Sequence, residues 1–355
     1  MPLLSTRNRK WTHSRDLKII LALISLAATA FGQQLTVLHS GTEENLRGVS
    51  ALSNGVAWAS GTHGTYLKSL DQGTTWSVAH IPQADDLDFR DVEAFSADHA
   101  YLLSAGPGEA SRIYKTVDGG KTWDLQFTNH DPKGFLDCMA FWDESHGIVV
   151  GDPIDGRFEI LLTDDGGHTW TKSPADTMPP AHDGEGAFAA SGTCVAVAAD
   201  GNAWFVTGGA VARLFHSSDG AKTWQTTDSP IVHGTASAGI FSIAVRDPKH
   251  GVIAGGDYKS PAAAGPNLAT TEDGGKTWKL SRLSPQWYFS GVAFLHGSSS
   301  IVAVGAARSA FSRKVNSSQW TKTWDQGLNA VSAIDNGSAL AVGPKGAMVR
   351  LNGLH

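Results

Sequence analysis

Four carboxylates, Asp137, Asp152, Glu185 and Asp257, stand in or beside loop-like stretches where acid–base chemistry is feasible. Glycoside hydrolysis needs two such groups flanking one bond, one as acid and one as nucleophile or base. Other residues near these stretches are suited to binding: Arg47, Arg90, Asp91 and Arg157, then His182 and His233, then Tyr258, Lys259, Trp287 and Tyr288. Arginine and aromatic side chains carry most of the energy of protein interfaces, so this set fits a protein or peptide partner. His182, Asp183 and Glu185 are metal-ligating types, but a flexible glycine loop imposes no coordination geometry, and a solvated loop is the simpler reading. No metal and no other cofactor is expected. There is no Gly-x-Ser-x-Gly elbow, no His-Glu-x-x-His pair and no Walker loop. These residues describe a set of loops, and what positions them is a repeat.

One octad, Ser/Thr-x-Asp-x-Gly-x-Thr-Trp, recurs five times with one substitution. Its Asp and Trp fall at Asp71 and Trp76, Asp118 and Trp123, Asp165 and Trp170, Asp219 and Trp224, and Asp273 and Trp278. The fourth copy has Ala221 where the others have glycine. Successive Asp positions lie 47, 47, 54 and 54 residues apart, the period of a four-stranded propeller blade. Asp-x-Gly between two strand-like runs is a turn signal, in which glycine supplies positive φ and Asp bonds nearby amides. The Trp offers a large surface for packing.

Each octad follows the same arrangement of two apolar strands and a third that runs into it. In the first unit these are Leu46–Leu52, Val56–Gly61 and Tyr66–Ser69; the next two units repeat the plan. Alternating apolar residues favour half-buried antiparallel strands. A sixth unit has lost the octad, with Trp320 expected at the Trp position, and a seventh ends one strand short. The segment 34–39 is expected to supply that strand, closing a ring of seven blades and hiding its edges.

These octads resemble the BNR or Asp-box repeat, and their arrangement across the mature chain is similar to the Ycf48/Hcf136-like propellers, photosystem II assembly factors in phototrophs. The resemblance implies an all-β, seven-bladed β-propeller. It places the octads at the hairpin between third and fourth strands, on the face away from the ligand, which makes their Asp residues structural. It also implies a non-catalytic protein that assists assembly of an envelope or membrane complex. Sialidases share the repeat, which keeps a glycoside hydrolase as the alternative. They carry an arginine triad and an early Phe/Tyr-Arg-Ile-Pro motif, whereas Phe89-Arg90-Asp91-Val92 lacks the Ile-Pro and no triad is legible.

The first 32 residues read as a signal peptide: a basic stretch from Arg7 to Lys18, an apolar run from Ile19 to Ala30, and the small residues Ala28-Thr29-Ala30. An uncleaved anchor is the other reading, although the run is short for a bilayer span. Residues 33–355 are expected to form one domain, monomeric and exported to the periplasm or beyond. Without the leader, with its five Lys/Arg and one acid, the chain keeps 23 bases against 33 acids. That balance disfavours nucleic acid, whose binding relies on clustered cations. Cys138 and Cys194 are the only cysteines. An oxidising compartment would permit a bond, but their apolar contexts favour buried thiols.

Overall fold

The structure, a computed structural model, describes residues 34–281, 287–312, 321–324 and 326–354. Short strands separated by glycine turns assort into seven antiparallel sheets. Sheet 1 holds Leu46–Ala51, Ala57–Gly61, Thr65–Ser69 and Ser77–His80, and the second sheet runs likewise from Phe89 to Thr128. Sheet 3 spans Leu136 to Lys172 and sheet 4 spans Val195 to Asp228. Sheet 6 spans Gly291 to Trp324, and sheet 7 is made of Ala330–Ala333, Ala339–Val342 and Met348–Asn352 with Gln34–Val37 at its outer edge. The last pairing matches Gln34 with Asn352 and Val37 with Val349, so the first described strand completes the last sheet, as the sequence suggested.

The expectation of uniform four-stranded blades is corrected in one place. Six sheets have four strands, but sheet 5 has six: Glu185–Gly186 and Gly208–Gly209 are added inside its main strands, Ala238–Val245, Gly251–Asp257, Leu268–Thr271 and Lys279–Leu280. The glycines explain the annex. Gly208 pairs with Gly239, and a Cβ on Gly208 would fall 2.3 Å from the Phe188 ring.

The first strands of successive sheets touch in cyclic order, with sheet 7 meeting sheet 1. Side chains stitch them. Asp91 Oδ2 accepts the Met139 amide at 2.7 Å, Ser242 Oγ the Val292 amide at 3.0 Å, and Ser332 Oγ the Ala51 amide at 3.0 Å. Second strands such as Ala57–Gly61 and Ala100–Ser104 are buried throughout, because they are covered on both faces; outer strands such as Ser77–His80 are mostly exposed.

Each octad is a turn closed by its own side chains. Asp71 Oδ1 accepts the Ser69 hydroxyl and the Thr75 amide, both at 2.8 Å, while Oδ2 accepts the Thr75 hydroxyl at 2.7 Å. Asp118, Asp165, Asp219 and Asp273 repeat this pattern. Donors around an ionised carboxylate favour the charged form, so these groups sit low, at about 2 for Asp118, Asp219 and Asp273. Trp123 packs edge-on against Tyr66 of the preceding sheet, at 5.0 Å between ring centres. The Trp320 expectation and the leader lie outside the described residues.

The reading of the cysteines as buried thiols is overturned. Cys138 and Cys194 form a disulfide between the first strand of sheet 3 and the entry to sheet 4, with Cα atoms 5.8 Å apart. Their positions are 56 residues apart in sequence. Apolar context alone did not reveal that neighbouring sheets bring them together.

Candidate functional site

In four first strands one residue is squeezed out of the ladder. The register skips between Leu46 and Gly48, Phe89 and Asp91, Leu136 and Cys138, and Ile240 and Ser242. Such bulges re-aim a side chain. The residues skipped are Arg47, Arg90, Asp137 and Phe241, and all four line one cavity of about 1030 Å³. Asp152 near the end of a second strand, Tyr258 just past another, and Gly208 in the annex of sheet 5 line it too. Since the octads join third to fourth strands, this mouth opens at the opposite edge of the sheets.

A segment of the chain crosses the mouth. Arg47 Nη2 and Arg90 Nη1 both donate to the Ala189 carbonyl, at 3.4 and 3.1 Å. The Ala187 amide donates to Asp152 Oδ1 at 2.9 Å. Phe188 stacks on Phe241 with 4.0 Å between centres, and Tyr288 meets Phe241 edge-on at 4.9 Å. The anchor is Glu185, whose carboxylate takes Arg213 Nη2 at 2.5 Å, the Thr207 hydroxyl at 2.6 Å and the His182 amide at 2.9 Å. Arg213 and Glu185 side chains are 7% and 0% exposed, so this is a buried ion pair. Its carboxylate is committed to holding the segment and is not free for acid–base work.

The remaining polar groups are under electrostatic stress. Burial, then the charge of Asp152, pushes Asp137 well above the usual carboxylate range, with Arg90 opposing. Burial raises Asp152 as well. Burial, then Arg90, pulls Arg47 down, and burial holds the Tyr288 phenol up. At the mouth Arg47 Nε and Asp137 Oδ2 are buried without a hydrogen-bond partner. Unmade bonds of this kind are costly, and two at one mouth mark a place where another molecule can complete them.

The structure brings together Arg47, Arg90, Asp137, Asp152, His182, Glu185, Tyr258 and Tyr288 from the sequence candidates. It leaves others out of the lining. Asp91 is buried between sheets, and Asp257 Oδ1 accepts the Lys259 amide at 2.9 Å. Arg157 donates to the Met178 carbonyl at 2.9 Å, and His233 Nδ1 lies 2.9 Å from the Ile231 carbonyl. Trp287 is buried beneath Arg308. Sequence reading missed Phe188, Phe241, Ser290 and Asn329. The last three could have been found by aligning the units, because each follows a buried apolar residue at or just before the first strand of its sheet, Ile240, Phe289 or Leu328, as Arg47 follows Leu46 and Arg90 follows Phe89.

The fold is that of a β-propeller, and in sequence and fold the chain resembles the Ycf48/HCF136 assembly factors. It is 25% identical over 245 residues to photosystem II assembly lipoprotein Ycf48 of Synechococcus sp. (strain CC9902), covering 69% of this chain and 64% of the relative. It is 25% identical over 122 residues to the chloroplastic photosystem II stability/assembly factor HCF136 of Arabidopsis thaliana, 33% of this chain and 28% of that one. The chain thus aligns with less than two thirds of either relative. Among solved structures, YCF48 bound to D1 peptide superposes with a TM-score of 0.65 at 14% identity, over 89% of this chain and 96% of that one. YCF48 from Cyanidioschyzon merolae gives 0.63 at 16% identity, over 90% and 98%. No family model matches the chain.

Proposed function

We propose that this chain is an exported, non-catalytic propeller, a ring of seven sheets whose mouth grips an extended segment of a protein partner and so assists assembly or stability of an envelope complex. The observation that carries this reading is the pair of arginines on one backbone carbonyl: Arg47 and Arg90 already hold main chain at Ala189. Arg47 Nε and Asp137 Oδ2, both unpaired, offer a donor and an acceptor to more of it. The structurally similar YCF48, solved bound to D1 peptide, supports the class of partner. The disulfide and the leader-like N-terminus support export to an oxidising compartment. No helix among the described residues is long and apolar enough to cross a membrane. Capture from an envelope extract tests the reading: wild type retains a partner that the Arg47→Ala/Arg90→Ala variant loses, and equal capture by both would refute it.

One observation favours a second reading. Asp137 and Asp152 share the cavity with raised pKa values, as a hydrolase acid requires. Turnover of aryl glycosides by wild type, abolished in Asp152→Asn, would support hydrolysis in place of binding.

A further inference from the structure

The octad face has its own irregularity, visible when junctions between sheets are compared. Where an intact octad follows, the preceding sheet presents a cross-strand pair towards it: Trp58 with Lys68, Tyr101 with Lys115, Trp204 with His216 and Leu340 with Arg350. These pairs plug the octad turn. Lys68 donates to the Gly119 carbonyl at 2.6 Å, and Lys115 and Tyr101 both donate to the Gly166 carbonyl at 2.7 Å. Trp204 donates to the Gly274 carbonyl at 2.9 Å, and Arg350 reaches the Gln72 carbonyl at 3.5 Å.

The plugs also dictate the octad sequence. A Cβ on Gly73 would stand 2.7 Å from Leu340 and on Gly167 3.0 Å from Tyr101, while on Gly120 it would meet Tyr66, beside the plug, at 2.9 Å. Between sheets 3 and 4 the corresponding pair is Ile148 with Leu162, which are aliphatic and carry no hydrogen-bond donor. The facing octad is the copy with Ala221, whose methyl group is fully buried there on a backbone at φ 63°. Its Gly220 carbonyl receives no hydrogen bond among the described residues. A cleft of about 910 Å³ takes the place of the plug, walled by Trp142, Leu162 and Val197 and reaching Gly220.

We propose that this cleft is a docking site for a lysine or arginine side chain of a protein partner, which supplies the missing plug. The apolar wall suits the aliphatic stem, and the Gly220 carbonyl takes the head as Gly119 and Gly166 do elsewhere in the chain. Charge complementarity favours a cation: Asp143, Asp164, Asp200 and Asp219 line the cleft, against Lys222 and His146, and His146 is paired with Asp143. The site lies at the octad edge of the sheets and is independent of the mouth.

The test uses the isotope-labelled chain and two capped tripeptides, Gly-Lys-Gly and Gly-norleucine-Gly, read by amide shifts. The lysine peptide is expected to shift Gly220, Ala221 and Lys222 saturably, with the norleucine peptide at least about tenfold weaker. Leu162→Lys, which restores the internal plug, abolishes both responses. Asp164→Asn/Asp200→Asn weakens only the lysine response, and guards against misfolding of the first variant. Arg47→Ala/Arg90→Ala leaves the response intact, so failure here and failure of the mouth are distinguishable. Equal response to the two peptides, no response in wild type, or a response unchanged by filling or neutralising the cleft would overturn the proposal.

Discussion

The two edges of the sheets obey different rules. At the octad edge five turns repeat the same hydrogen bonds around an exposed carboxylate. At the mouth equivalent positions hold Arg47, Arg90, Asp137, Phe241, Ser290 and Asn329, and charged groups are buried without full pairing. Repetition marks what holds the ring together, and divergence marks what distinguishes this ring from others. The contrast extends to protons. Octad carboxylates are held low by donors, whereas Asp137 and Asp152 are pushed up chiefly by burial.

Breaking the covalent tie beside the mouth should have the largest effect. Replacing both Cys138 and Cys194 by alanine frees a 56-residue separation, which on a chain-entropy basis costs about 4 kcal/mol. Denaturant unfolding should show it, and an unchanged midpoint would mean that the bond holds nothing. Next comes the buried pair: Arg213→Met strands Glu185 and should cost about 3 kcal/mol, while Arg213→Met/Glu185→Leu recovers much of that loss. If the double variant is as unstable as the single, the cost lies in packing and not in charge.

The octad edge should respond more mildly. Asp219→Ala removes a turn-closing acceptor in the manner of a lost helix cap, about 1 kcal/mol. Because the folded pKa lies below the unfolded one, the contribution of Asp219 is present above about pH 4 and is lost as pH falls towards 2. The sign reverses at the mouth. Asp137 favours its neutral form when folded, so its ionisation costs stability as pH rises above the ordinary carboxylate range. Asp137→Asn should therefore raise Tm by about 2 °C at pH 8 and leave it unchanged at pH 4. A gain of equal size at both pH values would remove charge as the cause.

The octad edge was legible in sequence because its residues act locally: Ser69, Asp71 and Thr75 bond within one turn, so spacing alone exposes them. Ring closure was legible because the seventh unit lacked a strand and 34–37 lacked a partner. The mouth was half legible. Arg47, Arg90, Asp137 and Asp152 were named, but nothing local says that a bulge turns Phe241 inward or that Glu185 is spent on Arg213. The annex in sheet 5 was not legible, because two-residue strands such as Glu185–Gly186 and Gly208–Gly209 carry no periodicity. Trp287 is hard to place for a related reason: aromatic type signals burial and binding alike, and only packing separates them.

The central claim, that the mouth grips a partner's chain, is tested most directly by a photocrosslinker placed there. Benzoylphenylalanine in place of the exposed Tyr258, with Leu125 on an outer strand as control, is irradiated in envelope extract. The expected result is a discrete protein adduct from position 258 only, lost when Arg47→Ala/Arg90→Ala is added. An adduct pattern identical at the two positions, or one indifferent to the arginines, would contradict the account.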